Sequence, residues 1–142
     1  MNRRNFLSSA ALTSASPLVK SLEPAVPKSS AKIKLSVSSY SYWHFKGDKF
    51  PITGVIDEAA KLGLDGIDVL HRQMESEDNG YLQNIKKHAF LNGIALTCLS
   101  IHQGFVTPDK EELKKHIDHT NHCIELAYKM GIPCLRLNTG RW

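Results

Sequence analysis

From Ile33 onward, apolar residues follow two rhythms in turn. Ile33, Leu35 and Val37 alternate with Lys34, Ser36 and Ser38, the period of two that marks a half-buried strand. Short apolar runs recur at Gly66-Ile67-Asp68-Val69-Leu70, at Ala95-Leu96-Thr97-Cys98-Leu99-Ser100-Ile101 and at Cys134-Leu135-Arg136-Leu137-Asn138, and predict three more strands. Between the strands the spacing lengthens to three and four. Ile52, Val55, Ile56, Ala59 and Leu62 fall on one face of a first helix. Leu82, Ile85 and Ala89 do so in a second, and Leu113, Ile117, Thr120, Ile124 and Ala127 in a third.

The helices end alike. Ala60-Lys61-Leu62-Gly63-Leu64, Leu91-Asn92-Gly93-Ile94 and Lys129-Met130-Gly131-Ile132 each close a helical pattern with Gly, then Leu or Ile, then a strand. Such a repeat is one strand–helix unit, which calls for parallel strands joined by helical crossovers. Two folds meet that description, a partial (β/α)8 barrel and a small flavodoxin-like open sheet. The polar strand positions favour the barrel. Ser36, Ser38, Asp68, Arg136 and Asn138 would face its interior, while Ile67, Val69, Leu135 and Leu137 would face the helices. The expected class is α/β, a partial (β/α)8 TIM barrel of four parallel strands and three helices after an N-terminal leader. A complete barrel takes about 250 residues. Residues 32–142 supply less than half of that, so they are read as the N-terminal half of a barrel, with the last strand left uncovered.

Charge separates the leader from the body. The chain carries a formal +4. Residues 1–32 hold five cations (Arg3, Arg4, Lys20, Lys28, Lys32) against Glu23 alone, which accounts for all of it. The body is neutral, so charge gives no case for nucleic-acid binding. Arg3-Arg4 precede Phe6-Leu7, and residues 5–19 carry no charge. That run is too short for a stable membrane anchor, where about 20 residues are needed, and has the layout of a signal peptide. The arginine pair resembles the twin-arginine export motif, with Asn2 where Ser or Thr is more usual. Residues 1–31 are therefore expected to be an export signal and linker, which would deliver residues 32–142 to the periplasm. Cys98, Cys123 and Cys134 show no CxxC spacing and are expected to be buried free thiols.

Several stretches resemble the sugar phosphate isomerase/epimerase family, whose fold is the xylose isomerase-like TIM barrel. They are Leu99-Ser100-Ile101-His102-Gln103-Gly104-Phe105-Val106 with Pro108, His119-Thr120, Cys123-Ile124-Glu125-Leu126-Ala127 and Gly131-Ile132-Pro133. Gly66-Ile67-Asp68, Ser38-Ser39-Tyr40-Ser41 and the specific fourth-strand motif Arg136-Leu137-Asn138-Thr139-Gly140-Arg141-Trp142 extend the match. The resemblance implies a small sugar or sugar phosphate substrate. It also implies proton transfer beside a sugar carbonyl and a divalent metal held by Glu, Asp, His and Glu. Those ligands lie on later strands of the family, and no position of this sequence matches them.

The chemistry of a TIM barrel sits at the C-terminal ends of its strands. Here those ends offer Tyr40, Tyr42, Trp43 and His44, then His71 and Arg72, then His102 and Gln103, then Asn138 and Arg141. The expected substrate-binding residues are His71, His102, Arg136, Asn138 and Trp43. Trp43 would stack on a sugar face and the others would bond its hydroxyls. Arg136 could equally pair with Asp68 in a structural network. His116, His119 and His122 are spaced by three on the third helix, and a single metal site there would need an i, i+4 pair or an outside carboxylate. They and His88 are read as solvated, and no metal ligand is assigned. Three functional readings follow. The chain is the substrate-side half of a metal-dependent isomerase or epimerase, inactive alone. Or it is a non-catalytic truncated half-barrel that self-associates or pairs with a second half. Or it is an endonuclease IV-like phosphodiesterase fragment, which His71 and His102 at strand ends would suit and the neutral body would not.

Overall fold

The computed structural model describes residues 33–43 and 47–140. The Arg3-Arg4 motif, the leader over 1–31, His44 and Arg141 lie outside the described residues.

The elements follow the predicted order: β1 (Ser36–Ser38), α1 (Ile52–Lys61), β2 (Gly66–Leu70), α2 (Asn79–Leu91), β3 (Ala95–Ser100), α3 (Lys110–Met130) and β4 (Leu135–Arg136). Two short 3-10 turns, Ser39–Tyr42 and His71–Gln73, prolong the ends of β1 and β2. The strands form one parallel sheet in the order β1-β2-β3-β4. Neighbours in sequence are thus neighbours in space, as in a barrel. A flavodoxin-like sheet would place β1 between β2 and β3. The described residues form part of a (β/α)8 barrel.

Local chemistry sets the helix ends. Asp78 caps α2 by accepting from Tyr81 N at 2.8 Å, and Asp109 caps α3 by accepting from Glu111 N at 2.8 Å. Gly131 closes α3 at φ +71°, a left-handed conformation that carries the chain back toward the sheet. The helices cover the face of the sheet that holds Ile67, Val69 and Leu99, all fully buried. Val55 and Ile56 of α1, Ile85 of α2 and Cys123 of α3 meet them there. Each such side chain gains roughly 1.5–3 kcal/mol from leaving water.

One irregularity sets the other face. In β3, Leu96 stands opposite Ile67 but Cys98 stands opposite Asp68, so Thr97 is an extra residue. Its hydroxyl donates to Ile67 O at 2.8 Å. The bulge lets Leu96 and Leu99, three residues apart, both pack on the helical side. It also turns Ser100 to the same side as Asp68, where the two bond.

Five expectations need correction. The first strand begins at Ser36, and Ile33 and Leu35 are exposed; Leu35 is instead held through Asp65, whose N–H donates to Leu35 O. The last strand is only Leu135–Arg136. Leu62 lies past the end of α1 and is exposed. The buried stripe of α3 is Thr120, Cys123, Leu126, Ala127 and Met130, whereas Ile117 and Ile124 are 44% and 52% exposed. All three cysteines are free, but only Cys123 is buried; Cys134 is exposed.

Candidate functional site

The C-terminal ends of β2 and β3 are held in place by buried polar contacts. Ser39 is fully buried, and its hydroxyl accepts from Leu70 N at 2.8 Å, locking the end of β1 to the end of β2. Gln73, also fully buried, donates through Nε2 to Phe50 O at 2.8 Å and fixes the turn that starts at His71. Ile101 continues the line of β3, its N–H donating to Arg136 O at 3.0 Å, so His102 and Gln103 follow from a rigid base. His71, His102 and Gln103 therefore open onto one cavity of about 550 Å³. His116 and His119 of α3 close its far wall, and Arg72, Lys115 and Glu77 add charge.

On the interior face of the sheet the polar strand residues form a chain. Ser38 Oγ donates to Asp68 Oδ2 at 2.9 Å, and Ser100 Oγ donates to Asp68 Oδ1 at 2.5 Å. Arg136 Nε donates to Ser100 Oγ at 2.9 Å. Ser100 has one hydroxyl proton to give and lone pairs to receive, so it can serve both neighbours at once. All four strands are thereby tied together.

Charge in the cavity is sharply placed. Glu77 accepts from both sides, with Oε1 2.7 Å from His71 Nε2 and Oε2 2.6 Å from His122 Nε2. Those bonds, His122 first and His71 next, hold its carboxyl below the usual carboxylate range. Burial pushes His119 below the ordinary histidine value, and the charges of His71 and His122 add to this. Burial also lowers His102, helped by Arg136 and Arg72. His102 is thus held as a neutral imidazole near neutral pH. Its Nδ1 and the Oε1 of Gln103 are buried and have no hydrogen-bond partner among the described residues.

Of the residues expected to bind substrate, His71 and His102 share the cavity. Arg136 reaches it electrostatically, through its effect on His102, while its side chain is committed to Ser100. Asn138 and Trp43 are half-buried and do not line the cavity. The solvated reading of the α3 histidines needs correction. His116 and His119 line the cavity, and His122, although half-exposed, is bound to Glu77. His88 is half-buried and pairs with Asp57 at 2.6 Å, joining α2 to α1. Glu77 went unpredicted. No local spacing signals it, because its partner His122 stands 45 positions away in sequence.

The family model described as xylose isomerase-like TIM barrel matches residues 56–142. Among solved structures, the chain is similar to D-psicose 3-epimerase of Clostridium cellulolyticum H10, determined with D-tagatose. The TM-score is 0.62 at 21% identity, over 74% of this chain and 37% of that one. It is similar to a D-psicose 3-epimerase determined in the presence of D-fructose, with TM-score 0.63 at 23% identity and the same coverages of 74% and 37%. It is also similar to 3-keto-D-glucoside 4-epimerase of E. coli, with TM-score 0.54 at 12% identity over 73% and 37%. The chain thus spans little more than a third of the length of these structures, and the likeness is one of fold. No curated protein matches the sequence. No described helix is long and apolar enough to cross a membrane.

Proposed function

The chain belongs to the xylose isomerase-like TIM barrel family, and from that premise we propose that residues 33–140 form the substrate-side part of a sugar or sugar phosphate isomerase or epimerase. One observation carries the reading. His102 and Gln103 stand side by side at the end of β3, border the cavity, and hold two buried polar atoms with no partner. A buried acceptor without a partner costs about 1–3 kcal/mol, and a sugar hydroxyl would relieve it. His102, kept neutral by burial and by Arg136 and Arg72, can donate or accept toward such a hydroxyl. Arg72 and Lys115 supply positive charge suited to a phosphate group.

The metal that the family implies does not fit the donors present. The strand ends supply His71, His102, Gln103 and Asn138, with no carboxylate among them. Glu77 reaches the cavity from the following loop, but both its oxygens are taken by histidines. These strand ends therefore do not supply the carboxylate-rich set that such a metal takes. In this reading the described strands bind the sugar.

Binding of D-psicose and D-fructose to the full chain, followed by calorimetry, tests the proposal. His102→Ala and Gln103→Ala should each weaken binding about tenfold, which corresponds to about 1.4 kcal/mol, with little loss of stability. Leu135→Ala, a half-buried side chain on the core, should mainly destabilise. No binding by the folded wild-type chain, or affinity unchanged in both cavity variants, would overturn it.

A further inference from the structure

One cluster in the molecule is left over by the sugar-binding reading. His71 comes from the turn after β2, while His119 and Cys123 come from one face of α3, four residues apart. Each offers one ligand atom, and these atoms all lie within 4.8 Å of one another. His119 Nε2 and Cys123 Sγ are already 3.6 Å apart. Two ligands on a tetrahedral zinc, with bonds of about 2.0–2.3 Å, stand about 3.3–3.8 Å from each other. The helix pair thus has the separation that a shared ion requires, and the His71 ring stands edge-on to His119 with centroids 5.1 Å apart.

We propose that His71, His119 and Cys123 are the protein ligands of a zinc-class metal site, with Glu77 orienting His71 from outside and the fourth position open to the cavity. Two imidazoles and a thiolate favour zinc over the oxygen-loving magnesium, calcium or manganese. Glu77 is bonded to His71 Nε2, leaving Nδ1 as the nitrogen His71 has free. A carboxylate on the far nitrogen of a ligating histidine fixes the ring and raises its basicity. Glu77 is itself anchored by His122, with both oxygens occupied, which suits an outer partner and not a ligand. Cys123 is the group that must change. Burial, with Glu77 adding to it, raises its thiol to about 11. Binding replaces the S–H bond with an S–Zn bond and releases that proton to solvent. The site is distinct from the carboxylate-rich set that the family implies and is independent of the sugar-binding reading, which rests on His102 and Gln103.

Cobalt is the optical probe for such a site. The full chain, stripped with a chelator, is titrated with Co2+ and then with Zn2+. One equivalent of Co2+ should give a thiolate-to-cobalt charge-transfer band and the intense visible bands of a four-coordinate ion, both displaced by Zn2+. Cys123→Ser should abolish the charge-transfer band, and Glu77→Gln should weaken Zn2+ binding about tenfold or more. His102→Ala, and a Cys98→Ser/Cys134→Ser double variant, should leave the spectrum intact. X-ray absorption at the zinc edge of the wild-type chain should count one sulfur at about 2.3 Å and nitrogen or oxygen at about 2.0 Å. That measurement decides the matter even if Cys123→Ser fails to fold. Absence of a sulfur neighbour, a charge-transfer band that survives Cys123→Ser, or one lost in the Cys98/Cys134 variant would each overturn the assignment.

Discussion

Asp68 and Arg136 sit on β2 and β4, with β3 between them, and are joined through the hydroxyl of Ser100. That hydroxyl lies 2.5 Å from Asp68 Oδ1 and 2.9 Å from Arg136 Nε. No direct ion pair links the two charges. The pairing of Arg136 with Asp68 that the sequence allows is made indirectly, through Ser100. It joins polar residues of three adjacent strands, Asp68 within β2, Ser100 at the end of β3 and Arg136 at the end of β4.

Ser100→Ala should therefore cost more than a surface serine. Ser100 is fully buried and bonds two charged groups, and hydrogen bonds to charged groups contribute about 1.5–3 kcal/mol. A loss of about 1–3 kcal/mol in urea unfolding is expected. Ser38→Ala removes one donor from the same carboxylate at a half-buried position and should cost less. Equal or reversed effects of the two variants would show that Ser100 does not bridge.

Gly66 opens β2 where no side chain has room. A Cβ there would lie 2.7 Å from Thr97 Cγ2 and 2.8 Å from Ala95 O. The first neighbour is part of the bulge residue and the second is backbone, so relief requires β3 to move. Gly66→Ala should destabilise by about 1–3 kcal/mol. Adding Thr97→Ser removes the methyl but not the carbonyl and should rescue only part of the loss, read from the same unfolding curves.

Arg3 and Arg4 carry the export proposal, which rests on the sequence alone: a paired-arginine start, an uncharged run over residues 5–19 and a closing Lys20. Replacing both arginines with Lys keeps the charge and removes the twin-arginine feature. In a reporter fusion, fractionated cells should then retain the reporter in the cytoplasm. Periplasmic delivery at the wild-type level by the Lys variant would sink the proposal.

The repeat was legible because it follows from backbone need. Gly63, Gly93 and Gly131 each have φ near +70°, where a helix ends and the chain turns toward the next strand. The helical face of α3 was misread by one residue. Ile124 is rotated about 100° from Cys123, and it borders an apolar groove with Ile132 and Leu135, while Cys123 enters the core. The buried stripe runs through Thr120, Cys123, Leu126, Ala127 and Met130, so the face toward the sheet mixes small and large residues while Ile117 and Ile124 fall beside it. The bulge at Thr97 was invisible, since strict alternation cannot show where a strand gains a residue. The cavity was half legible. His71 and His102 follow from strand ends, but Glu77 meets His122 from 45 positions away in sequence, a pairing that no local spacing encodes.

Acid should weaken the fold in two stages, set by the half-buried histidines His102 and His119 and then by Glu77. His102 and His119 both titrate below the ordinary value of 6.5 in the folded chain. Arg136 and Arg72 face the first; His71, His122, Glu77 and Arg72 face the second. As pH falls through about 6.5, the unfolded chain takes up these protons before the folded one does. Unfolding is then coupled to proton uptake, so stability is full above that value and declines below it. Glu77 lies below its ordinary 4.5 when folded. Its contribution is present above 4.5 and is lost as pH falls through the lowered folded value. Glu77 is partly exposed, so the second stage should be the shallower of the two. Urea midpoints measured from pH 8 to about pH 3 should therefore hold level to about pH 7 and fall from there. A His102→Gln/His119→Gln double variant should flatten the first stage and leave the second. A wild-type midpoint that rises between pH 7 and pH 5.5, or a first stage unchanged in the double variant, would show that these two imidazoles are not held neutral by the fold.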